Sequence, residues 1–247
     1  MYKRQLGGTA TGTGINTRPE FAARVIERIG AASNLTFVEA VNHFEAQGAK
    51  DGVVAASGAL NTVASSLMKI ADDIRWLASG PTSGLSEIRL PAVQPGSSIM
   101  PGKVNPVLPE ALMMVAARVM GNHTTITIAG SRGNLELNAM MPILASALLE
   151  SISLLAGGCK AFTERCVTGI EADADRCREL LERNPSMATA LNLRLGYDLA
   201  SEVAKEAAAE GVKVREVVLR RGLVPAGELD ELLDVRGMTE GGLGGES

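Results

Sequence analysis

Aromatic residues are scarce in this chain of 247 residues, where one Trp, two Tyr and four Phe make up only 3%. The 46% of the sequence that is hydrophobic consists mostly of Ala, Leu, Val and Met instead. Strands favour aromatic and β-branched residues, whereas Ala, Leu and Met are strong helix formers. The composition therefore favours an all-α protein and argues against a strand-rich fold.

Residues that bind metals or form disulfides are also few. The chain has two His and three Cys, and Cys159, Cys166 and Cys177 form no CxxC pair. A disulfide framework requires an even number of cysteines, and zinc sites use closely spaced Cys and His. We therefore expect reduced thiols in a cytoplasmic protein and no metal centre.

The sequence has no basic excess and no long apolar run. Its formal net charge is −4, which excludes the basic footprint typical of nucleic-acid-binding proteins. No continuous apolar stretch approaches the roughly 18 residues of a membrane span, and Met1–Gln5 is too short and polar for a signal peptide. These absences predict that neither nucleic acid nor membrane is a partner.

The clearest periodicity lies between Asp51 and Ser79. Apolar residues recur there at alternating steps of four and three, which is a heptad pattern typical of a long helix in a bundle. Further helical patterns follow Pro106, run from Pro142 to about Leu155, and begin after Thr17. The predicted seam of the first helix consists of Ala56, Leu60, Val63, Leu67, Ile70, Ile74 and Leu77.

The character of the chain changes near Val167, where long apolar helices give way to shorter and more charged segments. We place a domain boundary there, with a helical domain over residues 6–167 and a small helical domain over residues 168–247. The Gly-rich end, Gly237–Ser247, is predicted to be frayed.

An unusual loop precedes the second long helix. Gly96–Pro106 reads GSSIMPGKVNP, which places two hydroxyls, an ammonium group and a carboxamide between glycines and prolines. Glycines let backbone N–H groups turn toward an anion, and the N-terminus of the following helix favours negative charge. The loop is therefore a candidate site for a carboxylate substrate beside a reactive serine, and the alternative is a glycine-rich loop with a helix cap.

Gly96–Pro106 resembles the signature loop of the fumarase/aspartase superfamily, G-S-S-x-M-P-x-K-x-N-P, at every fixed position. The resemblance extends over roughly Leu6 to Leu233 and is closest to class II fumarate hydratase. It implies an all-α fold, a long-helix bundle of the fumarase/aspartase type followed by a small helical C-terminal domain. The further segments that carry it are GGTATGTGIN at Gly7–Asn16, ALNTVASSLMKIADDIRW at Ala59–Trp76, GNLELN at Gly133–Asn138 and LNLRLGYD at Leu191–Asp198.

The resemblance also implies roles for individual residues in a reversible hydration of fumarate to L-malate. Ser97 matches the catalytic base, and Ser98, Lys103, Val104 and Asn105 match positions that bind the substrate carboxylates. Glu110 matches the acidic residue that orients the acid-side histidine. No metal and no organic cofactor is implied, and a homotetramer is expected for the full-length protein.

The family pattern includes an N-terminal region that this sequence does not contain. We expect that region to carry the His-Pro-Thr segment with the acid-side histidine, because neither His43 nor His123 has such a context. Residues 6–167 would then be the C-terminal part of the central lyase domain, and Met1–Gln5 a possible non-native leader. The chain alone is predicted to be inactive.

Two other functions stay open at this stage. Aspartate ammonia-lyase shares the signature loop, so the loop does not exclude it. The chain could also be a non-catalytic helical module that binds full-length subunits.

Overall fold

The computed structural model describes residues 6–94, 96 and 99–240. The chain divides into two compact units, Met1–Glu171 and Ala172–Ser247, while the sequence placed the boundary near Val167. Apart from two short paired strands, the described segments of regular structure are helical. The predicted all-α fold is confirmed.

The first unit contains three long helices. They are preceded by two short helices, and two strands of two residues each pair with one another. The bounds are α1 Phe21–Ser33, α2 His43–Gly48, α3 Asp51–Leu77, β1 Ile88–Arg89, α4 Val107–Gly130, α5 Met141–Arg165 and β2 Glu171–Ala172.

Helices α3, α4 and α5 pack as a bundle whose core forms three layers along its length. At one end, Ile126 and Leu144 pack between α4 and α5. The middle layer contains Ala64, Ala116, Val119 and Leu155. At the other end, the last turns of α3 and α5 meet the first turns of α4 in a layer that contains Ala71, Leu112, Phe162 and Cys166. This last layer supports the end of the bundle from which the signature loop emerges.

The buried stripe of α3 is displaced by one residue from part of the predicted seam. Ser57, Ala64 and Ala71 are the buried residues of this helix, whereas the predicted Val63 and Ile70 are 47% and 45% exposed. Small side chains let neighbouring helices approach closely, so the Ser/Ala stripe forms the contact face. The bulky residues of the predicted seam lie beside that face. The apolar pattern alone does not show whether the small or the bulky residues are buried.

Two helices have bounds other than those predicted. Helix α1 begins at Phe21, four residues after Thr17, where the sequence predicted that the helical pattern begins, and it continues to Ser33. The Thr17 hydroxyl donates to the carbonyl of Gly14 at 2.6 Å. Helix α5 continues ten residues beyond Leu155 to Arg165, because Phe162 packs on Leu112 and extends the core.

The second unit is a small helical domain with its own core. Asp173 caps its first helix by accepting a hydrogen bond from the backbone N–H of Arg176 at 3.1 Å. Val203, Val217 and Leu229 are fully buried at its centre. Its helices are α6 Ala174–Glu182, α7 Asn192–Leu195, α8 Tyr197–Glu210, α9 Val214–Arg220, α10 Ala226–Leu232 and α11 Gly237–Glu240, with a 3-10 helix at Pro185–Leu191. Of the end predicted to be frayed, Gly237–Glu240 forms α11, and residues 241–247 lie outside the described residues.

Two segments of the bundle are long and apolar enough to cross a membrane by length and composition alone. They are Asp51–Leu77, in which an 18-residue window has a mean hydropathy of 1.3, and Met141–Gly169, in which such a window has 1.5. The sequence shows no continuous run of this kind because Ser, Thr and Asn interrupt the apolar residues of α3. Core helices of bundles share this length and composition, so the property does not distinguish the two environments.

Candidate active site at the signature loop

The loop Gly96–Pro106 doubles back so that its two ends touch. A Cβ atom built on Gly96 would lie 1.5 Å from the carbonyl oxygen of Lys103, a distance that excludes every side chain. The Asn105 carboxamide closes the same contact, because its Nδ2 donates to the carbonyl of Gly96 at 2.6 Å. Glycine is therefore required at position 96, and the Asn105 N–H group is engaged within the loop while its Oδ1 remains an acceptor.

The turn between these ends carries the predicted cationic group. Gly102 has a φ of +78°, a left-handed conformation that favours glycine, and the N–H of Lys103 donates to the carbonyl of Met100 at 3.3 Å. Lys103 is exposed and forms no ion pair with any described residue. Its ammonium group is consequently available for an anion.

Helix α4 begins at Val107, directly after Pro106, as the sequence predicted. Lys103, Val104 and Asn105 therefore precede the positive end of the helix dipole by a few residues. A depression of about 510 Å³ lies beside them, and Val104 lines it with half of its surface exposed. The depression is lined by Ala92, Val93, Gln94, Gly96, Gly102, Lys103 and Val104.

Ser97 and Ser98, the predicted base and one of the predicted carboxylate ligands, lie outside the described residues. Their neighbours Gly96 and Ile99 are described, and Ile99 is 87% exposed. The roles of both serines remain predictions from the resemblance.

Glu110 occupies the first turn of α4, where the helix dipole favours a carboxylate. Its Oε1 lies 3.7 Å from Nε of Arg75, which belongs to the last turn of α3. The same guanidinium lies 3.6 Å from Oδ1 of Asp72 through Nη1. The sequence alone does not reveal this pairing, because it depends on how α3 packs against α4.

The two histidines of the chain have partners elsewhere. Nε2 of His43 lies 3.1 Å from Oε1 of Glu39, and Nδ1 of His123 lies 3.0 Å from Oγ of Ser57 between α3 and α4. Within the part of the chain that the structure describes, no group of three His, Cys, Asp or Glu could hold a metal ion.

Two protein families and many individual proteins are similar to this chain. Residues 1–121 match a family described as lyase, and residues 187–240 match one described as fumarase C C-terminus. The chain belongs to the fumarase/aspartase superfamily. Its predicted resemblance to class II fumarate hydratase is confirmed, because it is 49% identical over 242 residues to a class II fumarate hydratase of Bradyrhizobium diazoefficiens.

Solved structures of this superfamily share the fold of the chain. A fumarate lyase:delta crystallin from Brucella melitensis superposes with a TM-score of 0.85 at 46% identity, covering 93% of this chain and 50% of that one. A class II fumarase from Schistosoma mansoni gives a TM-score of 0.86 at 35% identity, with coverages of 92% and 51%. The Bradyrhizobium match covers 98% of this chain and 51% of the relative. The chain therefore spans about half the length of the relatives it matches.

Proposed function

We propose that this chain carries the base side of a fumarate hydratase active site, which means the catalytic base and the groups that bind the substrate carboxylates. The enzyme would interconvert fumarate and L-malate without a metal or organic cofactor. The observation that supports the proposal is the signature loop itself, which is closed by Gly96 and Asn105 and presents the exposed Lys103 beside the N-terminus of α4. A four-carbon dicarboxylate is the proposed substrate.

In the dehydration direction, the Ser97 alkoxide would remove a proton from the carbon next to one malate carboxylate. The electron pair of that C–H bond moves into the carboxylate and gives an aci-carboxylate with an additional negative charge. Lys103 would stabilise this charge, together with Ser98, the Val104 backbone and Asn105, because fixed cations and donors act most strongly where charge develops. Asn105 would contribute through Oδ1 or by exchanging its bond to Gly96 for one to the substrate.

The second half of the reaction requires an acid. Electrons return from the aci-carboxylate to form the C=C bond, and the hydroxyl on the neighbouring carbon leaves as water after receiving a proton on the opposite face. In our proposal Glu110 orients the histidine that supports this step, and that histidine belongs to a segment outside the present sequence. The 247-residue chain alone would then turn over no substrate.

Assembly into a homotetramer is part of the proposal. Helices α3, α4 and α5 leave large apolar side chains exposed outside their mutual contacts, among them Val63, Ile70, Met114, Leu149 and Ile152. Such residues on long helices are typical of surfaces that other helices cover. We propose a cytoplasmic enzyme in which these faces form a central bundle.

The test is an assay of fumarate formation from L-malate, with L-aspartate in parallel, by the protein expressed from its complete reading frame. Activity on malate alone is the expected result. Activity on aspartate alone would assign an ammonia-lyase with the same base side. Activity on neither, together with binding to full-length subunits, would favour the helical assembly module.

The same assay on the isolated 247-residue chain tests its proposed inactivity. We expect no turnover from the chain alone. Measurable hydration of fumarate by the purified chain would contradict the assignment of the acid side to another segment.

A further inference from the structure

We propose that Arg75 is a positioning residue that fixes the carboxylate of Glu110 in the orientation its role requires. This inference rests on the proposed function, since it concerns the residue that would orient the acid-side histidine. The two residues lie where the end of α3 meets the beginning of α4.

Arg75 and Glu110 lie at helix ends whose dipoles favour their charges. Arg75 is in the last turn of α3, where a cation is stabilised, and Glu110 is in the first turn of α4, where an anion is stabilised. The shared layer of Ala71 and Leu112 packs these two ends against each other. The ion pair therefore belongs to a supported contact between two helices and not to a flexible loop.

The guanidinium is oriented from its own helix. Asp72, three residues earlier, lies 3.6 Å from Nη1 of Arg75, while Nε of the same guanidinium lies 3.7 Å from Oε1 of Glu110. Because the guanidinium group is planar and its donors are fixed relative to one another, holding one edge orients the other. Asp72 thus limits the directions in which Arg75 meets Glu110.

The two oxygens of the Glu110 carboxylate have different surroundings. Oε1 faces Arg75, whereas Oε2 has no hydrogen-bond partner among the residues that the structure describes, and the side chain is 42% exposed. A carboxylate that orients a histidine needs one accessible oxygen in a constant direction. The ion pair with Arg75 would restrict the directions that the carboxylate takes and leave Oε2 accessible.

The experiment compares Arg75→Met, Arg75→Lys and Lys69→Met in the protein expressed from its complete reading frame, with malate as substrate. Lys69 is the matched control, since its ion pair with Asp73 lies on the same helix and does not involve Glu110. We expect Arg75→Met to lower kcat about tenfold with KM within about twofold, because misaligned catalytic groups lose rate more than binding. Arg75→Lys should recover part of the loss, and Lys69→Met should match the wild type.

A double variant tests whether Arg75 acts through Glu110. In the Glu110→Gln background, Arg75→Met should cause little additional loss, since the partner it orients is already changed. Equal losses in both backgrounds, or an unchanged kcat in Arg75→Met, would overturn the role of Arg75 while leaving the hydratase assignment intact. An inactive wild-type protein would instead overturn the proposed function, and the role of Arg75 with it.

Discussion

In the C-terminal unit, Val203, Val217 and Leu229 are completely buried, whereas α3 of the bundle leaves Val63 and Ile70 nearly half exposed. The short helices of the C-terminal unit surround one core and direct their apolar residues into it. The bundle buries a stripe of small residues and leaves bulky ones on other faces. The comparison indicates that the C-terminal unit places its bulky apolar side chains in its own core, while the bundle leaves some of its own exposed for the partner helices that we propose.

The largest effect is expected at the signature loop, to which we assign the chemistry. Ser97→Ala should lower turnover by about 10³-fold, because a positioned general base accelerates a reaction by about that factor. Circular dichroism should show an unchanged helical content and Tm. Near-normal kcat in this variant would remove Ser97 from the mechanism.

A core substitution in the C-terminal unit tests its independence. Leu229→Ala should destabilise that unit by about 3 kcal/mol, since a large buried side chain is replaced by a cavity. The only Trp of the chain, Trp76, lies in α3, so its fluorescence reports on the bundle. We expect the far-UV transition in denaturant to shift while the Trp76 transition stays in place.

Leu112→Ala is the matched variant in the bundle, because Leu112 is equally buried there. It should move the Trp76 transition. If Leu229→Ala moved the Trp76 transition by the same amount, the two units would unfold together and the comparison would fail.

The exposed face of α3 should matter for assembly and not for the fold of one chain. Ile70→Asn should weaken self-association by about 1 kcal/mol, since burying a fully exposed Ile contributes about 1.5–3 kcal/mol and Ile70 is already about half buried in one chain. Sedimentation of the protein expressed from its complete reading frame measures this change, and Lys69→Gln is the control on the same helix. An unaltered oligomeric state would show that this face is not part of the interface.

The smallest effect concerns the contact between α4 and α5. Hydrogen bonds from Asn122, at 2.8 Å, and from Arg118 lower the pKa of Glu150 below its usual 4.5. A carboxyl whose pKa is lowered in the folded state stabilises the fold above its unfolded pKa and loses that contribution as the pH falls through the folded pKa. Wild type and Glu150→Gln should therefore differ in Tm at neutral pH and converge as the pH falls through the folded-state pKa of Glu150.

Glu164→Gln, on the same helix outside this network, provides the control. A Tm difference between wild type and Glu150→Gln that stays constant from neutral pH to about pH 3 would exclude ionisation of Glu150 as its source.

Several features of the fold could be predicted from local sequence. The length of α3 follows from apolar periodicity that ends before Gly80-Pro81, and the beginning of α4 follows from Pro106, which is compatible with a helix start but not a helix interior. The bounds of α1 and α5 could not be predicted as well. Packing of Phe162 against α4 extends α5 through Gly157 and Gly158, residues whose propensity alone disfavours a helix.

At the candidate site, too, local features could be predicted from the sequence and tertiary contacts could not. The residue types and spacing of Gly96–Pro106 indicate an anion site, because the chemistry of each group is local. The sequence does not reveal that Gly96 touches Lys103 or that the Asn105 amide is engaged by the loop, since both contacts depend on the path of the backbone.

Composition, periodicity and a fixed motif are properties of neighbouring residues, so the helical class, the family and the residues proposed for the chemistry could be predicted from local sequence. The buried stripe of α3 and the contact between Arg75 and Glu110 became known only from the packing of the helices. Both depend on the rotation and axial position of one helix against another. These are set by how closely the side chains of Ala64, Ala71 and Leu112 allow α3 and α4 to approach.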